Sequence, residues 1–207
     1  IPAAASCAPL GACRGRSRRS TTPHDMTPPW LSVLMAYRDR GALLARTLAS
    51  WRHWYGDACE GIELVLVDDT SASSIEALRA VVALVPWACP PRLVRVDRTG
   101  AHNPGVLYNQ AAALATAPLL ALTNPENLHL GPVFTHARDV WQPGQYLVYG
   151  CRSLTPAAAS RSLAELIADP EPVTECWLQH SHHLNRGLHF SSMMGASDYA
   201  RTGFDPA

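Results

Sequence analysis

Residues 62–71 read IELVLVDDTS: a run from Ile62 to Val67, apolar apart from Glu63, that stops at two adjacent carboxylates and two hydroxyls. A strand without polar alternation belongs to a sheet covered on both faces, which in practice means a parallel sheet with helices packed on either side. Working outward, short apolar runs alternate with segments of helical periodicity. Leu31–Ala36 reads as the first strand, and Gly41–Trp54 as a helix with Leu43, Leu44, Leu48 and Trp51 at helical spacing. Helices are expected over Ile75–Leu84, Val106–Thr116, Val133–Trp141 and Ala157–Ala168. Further strands are expected over Leu93–Val96, Leu119–Leu122, Gln145–Tyr149 and His189–Met194. This alternation is the mark of successive βαβ units, so the fold class is α/β with a mostly parallel sheet flanked by helices.

Composition removes several functions. All 17 basic residues are Arg, against 17 Asp plus Glu, and four of the Arg (Arg14, Arg16, Arg18, Arg19) lie in the first 29 residues. The body is therefore mildly acidic and lacks the basic face that nucleic acid requires. Without Lys there is no GxxxxGK[ST] loop, no Schiff base and no kinase-type phosphate lysine. No GxGxxG follows the first strand and no GxSxG occurs. No apolar run reaches the length of a membrane span. The six cysteines form no CxxC pair, which fits small buried hydrophobes in a reducing, cytoplasmic setting. Residues 1–29, rich in Ala, Pro, Ser and Arg and aperiodic, are expected to be a disordered basic tail, with the folded domain over 30–207.

In open α/β sheets ligands bind beyond the carboxyl ends of the strands. Four such ends carry polar groups: Tyr37-Arg38-Asp39, Asp68-Asp69-Thr70-Ser71, Asp97-Arg98 and Thr123-Asn124-Pro125-Glu126-Asn127. Two adjacent carboxylates at a strand end repel one another and are costly to desolvate unless something binds them. One alternative is that one of them caps the next turn through Ser71 and Ser73 while the other is solvated.

These residues also carry a family resemblance. The runs PPWLSVLMAYRDRGALLARTLASW (28–51), IELVLVDDTS (62–71), NPGVLYNQAAALATAPLLALTNPEN (103–127) and HHLNRGLHFSSMMGASDYARTGFDPA (182–207) resemble, in order and spacing, glycosyltransferase family 2. The resemblance implies a GT-A fold, Rossmann-like, with a nucleotide-binding part over 30–130 and an acceptor-side part over 131–207 that is incomplete at its C-terminal end. It implies transfer of a sugar from a nucleotide-diphosphate donor to a glycan or other hydroxyl acceptor, with inversion and divalent-metal assistance. Carried onto this chain, it makes Tyr37 the ring that stacks on the nucleobase and Asp69 its hydrogen-bond acceptor. Asp39, Asp68, Asn103 and Asn124 join the nucleotide site. Read on the residues alone, Tyr37 is equally a buried strand-end aromatic and Asn103 a helix cap.

One departure stands out. Where the family has D-x-D, this chain has Asn124-Pro125-Glu126, which leaves Glu126 as the expected ligand of a weakly held Mn²⁺ or Mg²⁺ sharing its coordination with diphosphate oxygens. A catalytically inactive nucleotide- or glycan-binding module is the alternative reading. The family's general base maps onto Asp205 or lies past residue 207. Among Cys176, His180, His182, His183 and His189 only Cys176-x3-His180 loosely fits zinc-ligand spacing, so acceptor or diphosphate contacts by His180 or His189 are favoured over a structural zinc, and Trp177 is either a sugar-stacking platform on that side or a core residue.

Overall fold

The structure is a computed structural model that describes residues 28–56, 59–97, 102–151, 154–170 and 191–204. The expected tail over 1–29 therefore lies almost wholly outside the described residues. So do Trp177, His180, His189 and Asp205.

Six strands form one sheet: β1 (Leu31–Tyr37), β2 (Ile62–Asp69), β3 (Arg92–Val96), β4 (Leu119–Thr123), β5 (Tyr146–Val148) and β6 (Ser191–Gly195). Their spatial order is β3-β2-β1-β4-β6-β5. The β1–β2, β1–β4 and β2–β3 pairings are parallel, whereas β6 runs antiparallel to both β4 and β5. The sheet is thus α/β and mostly parallel, as the apolar strands predict. All seven residues of β1 and all eight of β2 are buried, because helices cover both of their faces.

The helices are α1 (Gly41–Tyr55), α2 (Ile75–Val82), α3 (Pro104–Ala112), α4 (Val133–Val140), α5 (Pro156–Ala159), α6 (Leu163–Ala168) and α7 (Ala196–Thr202). Strand alternation divides the core into two layers. Leu31, Val33, Met35 and Tyr37 of β1, with Leu64 and Leu66 of β2, face α1, α2 and α4 through Leu44, Leu48, Trp51, Leu78, Val82 and Phe134. Leu34 and Ala36, with Val65 and Val67, face α3 and α7 through Leu107, Tyr108, Ala111 and Tyr199. The crossovers change face between β1 and β4, and that switch point is where the carboxyl ends of two neighbouring parallel strands diverge to leave a crevice.

Three expectations need correction. The single helix over Ala157–Ala168 is two, α5 and α6, because Ser162 starts a new helix: its hydroxyl accepts the Glu165 N–H while the Glu165 carboxylate accepts the Ser162 N–H. Strand β2 continues two residues past Val67, so Asp68 and Asp69 belong to the sheet rather than to the turn after it. Helix α3 begins at Pro104 and stops at Ala112, short of Thr116. Thr116 instead bonds, through its N–H and hydroxyl, to the Glu63 carboxylate at the amino end of the sheet. There Ser32 and Arg92 also meet Glu63, so this buried charge is fully satisfied at the end opposite the crevice.

Candidate functional site

Because side chains alternate along a strand, Asp68 and Asp69 point to opposite faces of β2 and meet different surroundings. Asp68 shares the α1–α2 face with Tyr37, its register partner on β1. It is wholly buried, and both of its oxygens are engaged. Oδ1 accepts from the Ser71 N–H at 3.2 Å and from the Ser71 hydroxyl. Oδ2 takes Arg95 Nε at 2.7 Å and Nη2 at 2.6 Å. Asp68 therefore joins β2 to β3 and ties down the turn that follows, and it offers no oxygen to a ligand.

Asp69 lies on the α3 face, 3% exposed. Its Oδ2 accepts from His102 Nδ1 at 2.5 Å, and the Arg38 guanidinium stands 4.0 Å from the same oxygen. His102 precedes Asn103, which caps α3 by accepting the Gly105 N–H at 3.0 Å, with Pro104 in the first turn where its missing N–H costs nothing. The cap role of Asn103 is thus realised. The Asp69–His102 pair sits in the crevice between the end of β2 and the start of α3.

The end of β1 is organised by Asp39 rather than by Tyr37. Tyr37 is 2% exposed and packed in the α1–α2 layer, where burial raises its phenol above the ordinary value. In this conformation the ring has no open face for a base to stack on, so the buried-aromatic reading describes its placement. Asp39 takes a left-handed backbone (φ 49°) that Asp tolerates better than most residues. Its Oδ1 accepts from the N–H groups of Ala72 (2.9 Å) and Ser73 (3.3 Å), and its own N–H donates to Ser71 Oγ at 2.9 Å. The loops after β1 and β2 therefore brace each other beside the crevice.

At the end of β4 the Asn124-Pro125-Glu126-Asn127 segment closes as a turn, with Asn127 N–H donating to the Asn124 carbonyl at 3.2 Å. Thr47 of α1 donates to the Pro125 carbonyl at 2.8 Å, and Asn127 Nδ2 donates to the Thr123 hydroxyl at 3.0 Å. The Tyr108 hydroxyl lies 2.9 Å from Asn124 Oδ1 and 3.1 Å from the Thr123 carbonyl. Burial first, then the nearby Glu126 charge, pushes this phenol well up, so it stays protonated. Glu126 is exposed. Among the described residues no three His, Cys, Asp or Glu side chains converge as a metal cage. Glu126 does fit a single carboxylate position for a hard cation that takes its remaining ligands from diphosphate and water.

A further element was not legible beforehand. Asn109 of α3 grips the chain after α7: its Nδ2 donates to the Phe204 carbonyl at 2.7 Å, and its Oδ1 accepts from the Phe204 N–H at 3.0 Å and the Tyr199 hydroxyl at 2.9 Å. The Phe204 ring lies 5.7 Å from that of Tyr108. Gly105 lets the helix come this close, since a Cβ there would stand 3.0 Å from Phe204 Cβ. The last described residues are thereby fixed beside the residue that touches Asn124.

No family profile and no curated protein matches this sequence. Solved structures do. The mannosyltransferase PcManGT from Pyrobaculum calidifontis, solved with GDP-Man and Mn²⁺, aligns over 89% of this chain and 51% of its own, at 16% identity and a TM-score of 0.53. Glucosyl-3-phosphoglycerate synthase from Mycobacterium tuberculosis with UDP aligns over 82% and 57%, at 14% identity and a TM-score of 0.48. S. aureus TarS 1–349 with UDP aligns over 53% and 31%, at 16% identity and a TM-score of 0.44. The chain spans less than two thirds of the length of each of these structures. At such identities the likeness is one of fold: the sheet described above is that of the GT-A glycosyltransferases. Among the described residues no helix is long and apolar enough to cross a membrane.

Proposed function

We propose that this domain binds a nucleoside-diphosphate sugar in the crevice between β1, β2, β4 and the start of α3, and transfers the sugar to a hydroxyl acceptor. The observation that carries the reading is Asp69: a carboxylate 3% exposed at the carboxyl end of a parallel strand, with one oxygen held by His102 and the other met by no described residue. That second oxygen is not shut off from solvent, so water meets it in the free protein and a ligand donor can take the water's place. A base N–H or ribose hydroxyl does so.

In the reaction an acceptor oxygen bonds to the anomeric carbon as the carbon–oxygen bond to the diphosphate breaks. The bonding pair leaves with the nucleoside diphosphate, and the acceptor proton passes to a base. A single direct displacement of this kind inverts the anomeric centre. Asp69 anchors the donor's nucleoside, and the Asn124–Asn127 turn faces its phosphates and sugar. A divalent cation held in part by Glu126 would supply charge neutralisation for the departing diphosphate. Asp205, the base that the family resemblance implies, follows the Phe204 anchor directly in the chain. The amide at Asn124, where the family has a carboxylate, also favours a second reading, a module that binds nucleotide without turnover.

The test is a thermal-shift and calorimetric screen of nucleoside diphosphates with and without Mn²⁺, followed by a search for sugar release from the corresponding nucleotide sugars. A ligand that binds only the folded state raises stability by RT ln(1 + [L]/Kd). We expect at least one nucleoside diphosphate to stabilise the chain, and Asp69→Ala to reduce the effect at a given ligand concentration. Binding without sugar release in a chain extended past residue 207 selects the module. Absence of any stabilisation overturns the nucleotide reading.

A further inference from the structure

We infer that Thr47 of α1 is a positioning residue for the Asn124–Asn127 turn: its hydroxyl fixes the Pro125–Glu126 peptide, so that Glu126 is held ready for a phosphate-bound cation. The inference rests on the reading of Glu126 as a cation ligand given above and deepens it. Of the five buried residues of α1, Thr47 and Ser50 are polar, on a face otherwise given to Leu44, Leu48 and Trp51. A hydroxyl among core side chains is costly unless it is bonded, and both of these bond to the loop after β4. Thr47 donates to the Pro125 carbonyl at 2.8 Å. Ser50 Oγ accepts from the His129 N–H at 3.0 Å, and Trp54 Nε1 donates to the His129 carbonyl at 3.0 Å. Positions 47, 50 and 54 share one side of a helix, so α1 grips this loop at two places, residue 125 and residue 129.

The first anchor decides how the turn stands. Asn127 N–H closes the turn on the Asn124 carbonyl, which makes Pro125 and Glu126 its two central residues. The peptide between the central residues of such a turn has two orientations, related by a half-rotation, and Pro at the first position suits either. Here the Thr47 hydroxyl takes the carbonyl to the α1 side, and Glu126 lacks the left-handed φ that the other orientation requires at its position. In a trans peptide the N–H points opposite to the carbonyl, so the Glu126 N–H is turned away from α1. Neither that N–H nor the Glu126 carboxylate is bonded to a described residue. A half-rotation of the peptide would re-aim both. A turn already fixed needs no reordering when a cation and a diphosphate arrive, whereas a turn free to flip must be ordered at that moment, which weakens binding. Thr47 touches no ligand in this scheme and acts through Glu126.

The test is calorimetric titration of the full 207-residue chain with uridine, guanosine, adenosine and cytidine diphosphates, each with Mn²⁺ and without metal, for the wild type, Thr47→Val, Thr47→Ser and Trp54→Phe. The readout is the ratio of the metal-free Kd to the Kd with Mn²⁺. Thr47→Val keeps the shape without the hydroxyl. It should lower that ratio about fivefold, the scale of one hydrogen bond, while the metal-free Kd stays within about twofold. Thr47→Ser keeps the donor and should hold the wild-type ratio. Trp54→Phe removes a bond at the second anchor, so it should lower the melting temperature and leave the ratio within about twofold. Thr47→Ala is read in place of Thr47→Val if the valine impairs folding. An unchanged ratio in the folded valine or alanine variant overturns the inference and leaves Glu126 as a cation ligand. So does an equal fall in Trp54→Phe, which assigns the effect to the stability of the loop, or a serine variant that behaves as the valine one. If Mn²⁺ gives the wild type no gain, Glu126 holds no cation, and if no diphosphate binds, the nucleotide reading itself fails; the inference falls in either case.

Discussion

Arg95 on β3 and Asp68 on β2 are register partners, and both guanidinium contacts, Nε at 2.7 Å and Nη2 at 2.6 Å, fall on the same buried oxygen. Arg95 Nη2 also donates to the Ser73 carbonyl, so one side chain links β3, β2 and the turn after β2. Removing one partner of a buried pair leaves the other charge uncompensated, at a cost of roughly 3–5 kcal/mol. Arg95 is partly exposed, which puts Arg95→Ala at the lower end, about 3 kcal/mol. Urea denaturation checks this. A loss below about 0.5 kcal/mol, the scale of an ordinary surface change, would show that water replaces the guanidinium.

Asp69→Ala should weaken nucleoside diphosphate binding by about 1.5–3 kcal/mol, the scale of a hydrogen bond to a charged group. It should leave the fold intact, because among the described residues the Asp69 side chain pairs with His102 and Arg38, both partly exposed. Unchanged calorimetric affinity in the folded variant removes Asp69 from the site.

The contrast between Asp68 and Asp69 shows how far the sequence carries. The run 62–67, apolar apart from Glu63, announces a buried parallel strand, and the strand ends point to the crevice, so the fold and the site's location are legible. Which carboxylate faces a ligand is not, because that depends on whether the strand continues past Val67. Once β2 runs to Asp69, period-two alternation alone sends the two carboxylates to opposite faces. Ser162 and Glu165 did spell a helix start, yet the good helix formers on either side of the break hid it. His102 and Asn109 carried no such signal. Their partners lie 33 and 95 residues away in sequence, and only the folded sheet brings them together.

Asn109 should matter for stability well beyond an ordinary helix residue. Its three hydrogen bonds to Phe204 and Tyr199 hold the end of the described chain on α3, and Asn109→Ala would leave the backbone groups of Phe204 and a Tyr hydroxyl without them. We expect a loss of about 2 kcal/mol, the scale of unmet, partly buried polar groups. Hydrogen exchange should show selective loss of protection at Tyr199–Phe204. Uniform loss across the sheet would mean that the contact supports the whole fold.

His129 gives the stability a pH dependence. It lies buried among Trp51, Tyr55 and Phe134, its Nδ1 2.6 Å from the Tyr55 hydroxyl, and desolvation lowers its pKa to about 3 from an ordinary 6.5. The unfolded chain therefore takes up a proton at His129 that the folded chain refuses. The contribution is complete above pH 6.5 and is lost as pH falls toward about 3. Within that window the slope approaches about 1.4 kcal/mol per pH unit for this single proton. His129→Phe should flatten the fall in stability between pH 6.5 and pH 4, even if it lowers stability at neutral pH by leaving the Tyr55 hydroxyl with only the Phe134 N–H among its described partners. Parallel curves for the two proteins would assign the acid sensitivity to other groups.

The last prediction separates a metal-assisted transferase from a binding module, and it turns on two residues of one turn. Glu126 is exposed at the end of β4, and no described Asp, Glu, His or Cys joins it in a three-ligand cluster. If a divalent cation bridges this turn to the diphosphate, Glu126→Gln removes the turn's one charged ligand, and metal-dependent nucleotide affinity should disappear. Asn124→Asp adds a second carboxylate. It would keep a hydrogen bond from the Tyr108 hydroxyl, which stands 2.9 Å from Asn124 Oδ1 and stays protonated. The second oxygen would then be available to the cation, provided that Pro125, which restricts the backbone of the residue before it, still directs the side chain inward. The expected result is tighter Mn²⁺-dependent binding than in the wild type. A solvated turn with no cation to hold predicts instead that both substitutions are silent within about 0.5 kcal/mol. Nucleoside diphosphate affinity with and without Mn²⁺, measured for the wild type and both variants in a chain extended past residue 207, decides between them. Equal affinities throughout would sink metal assistance and leave a cation-independent transferase or the module, which sugar release in the same samples would then tell apart.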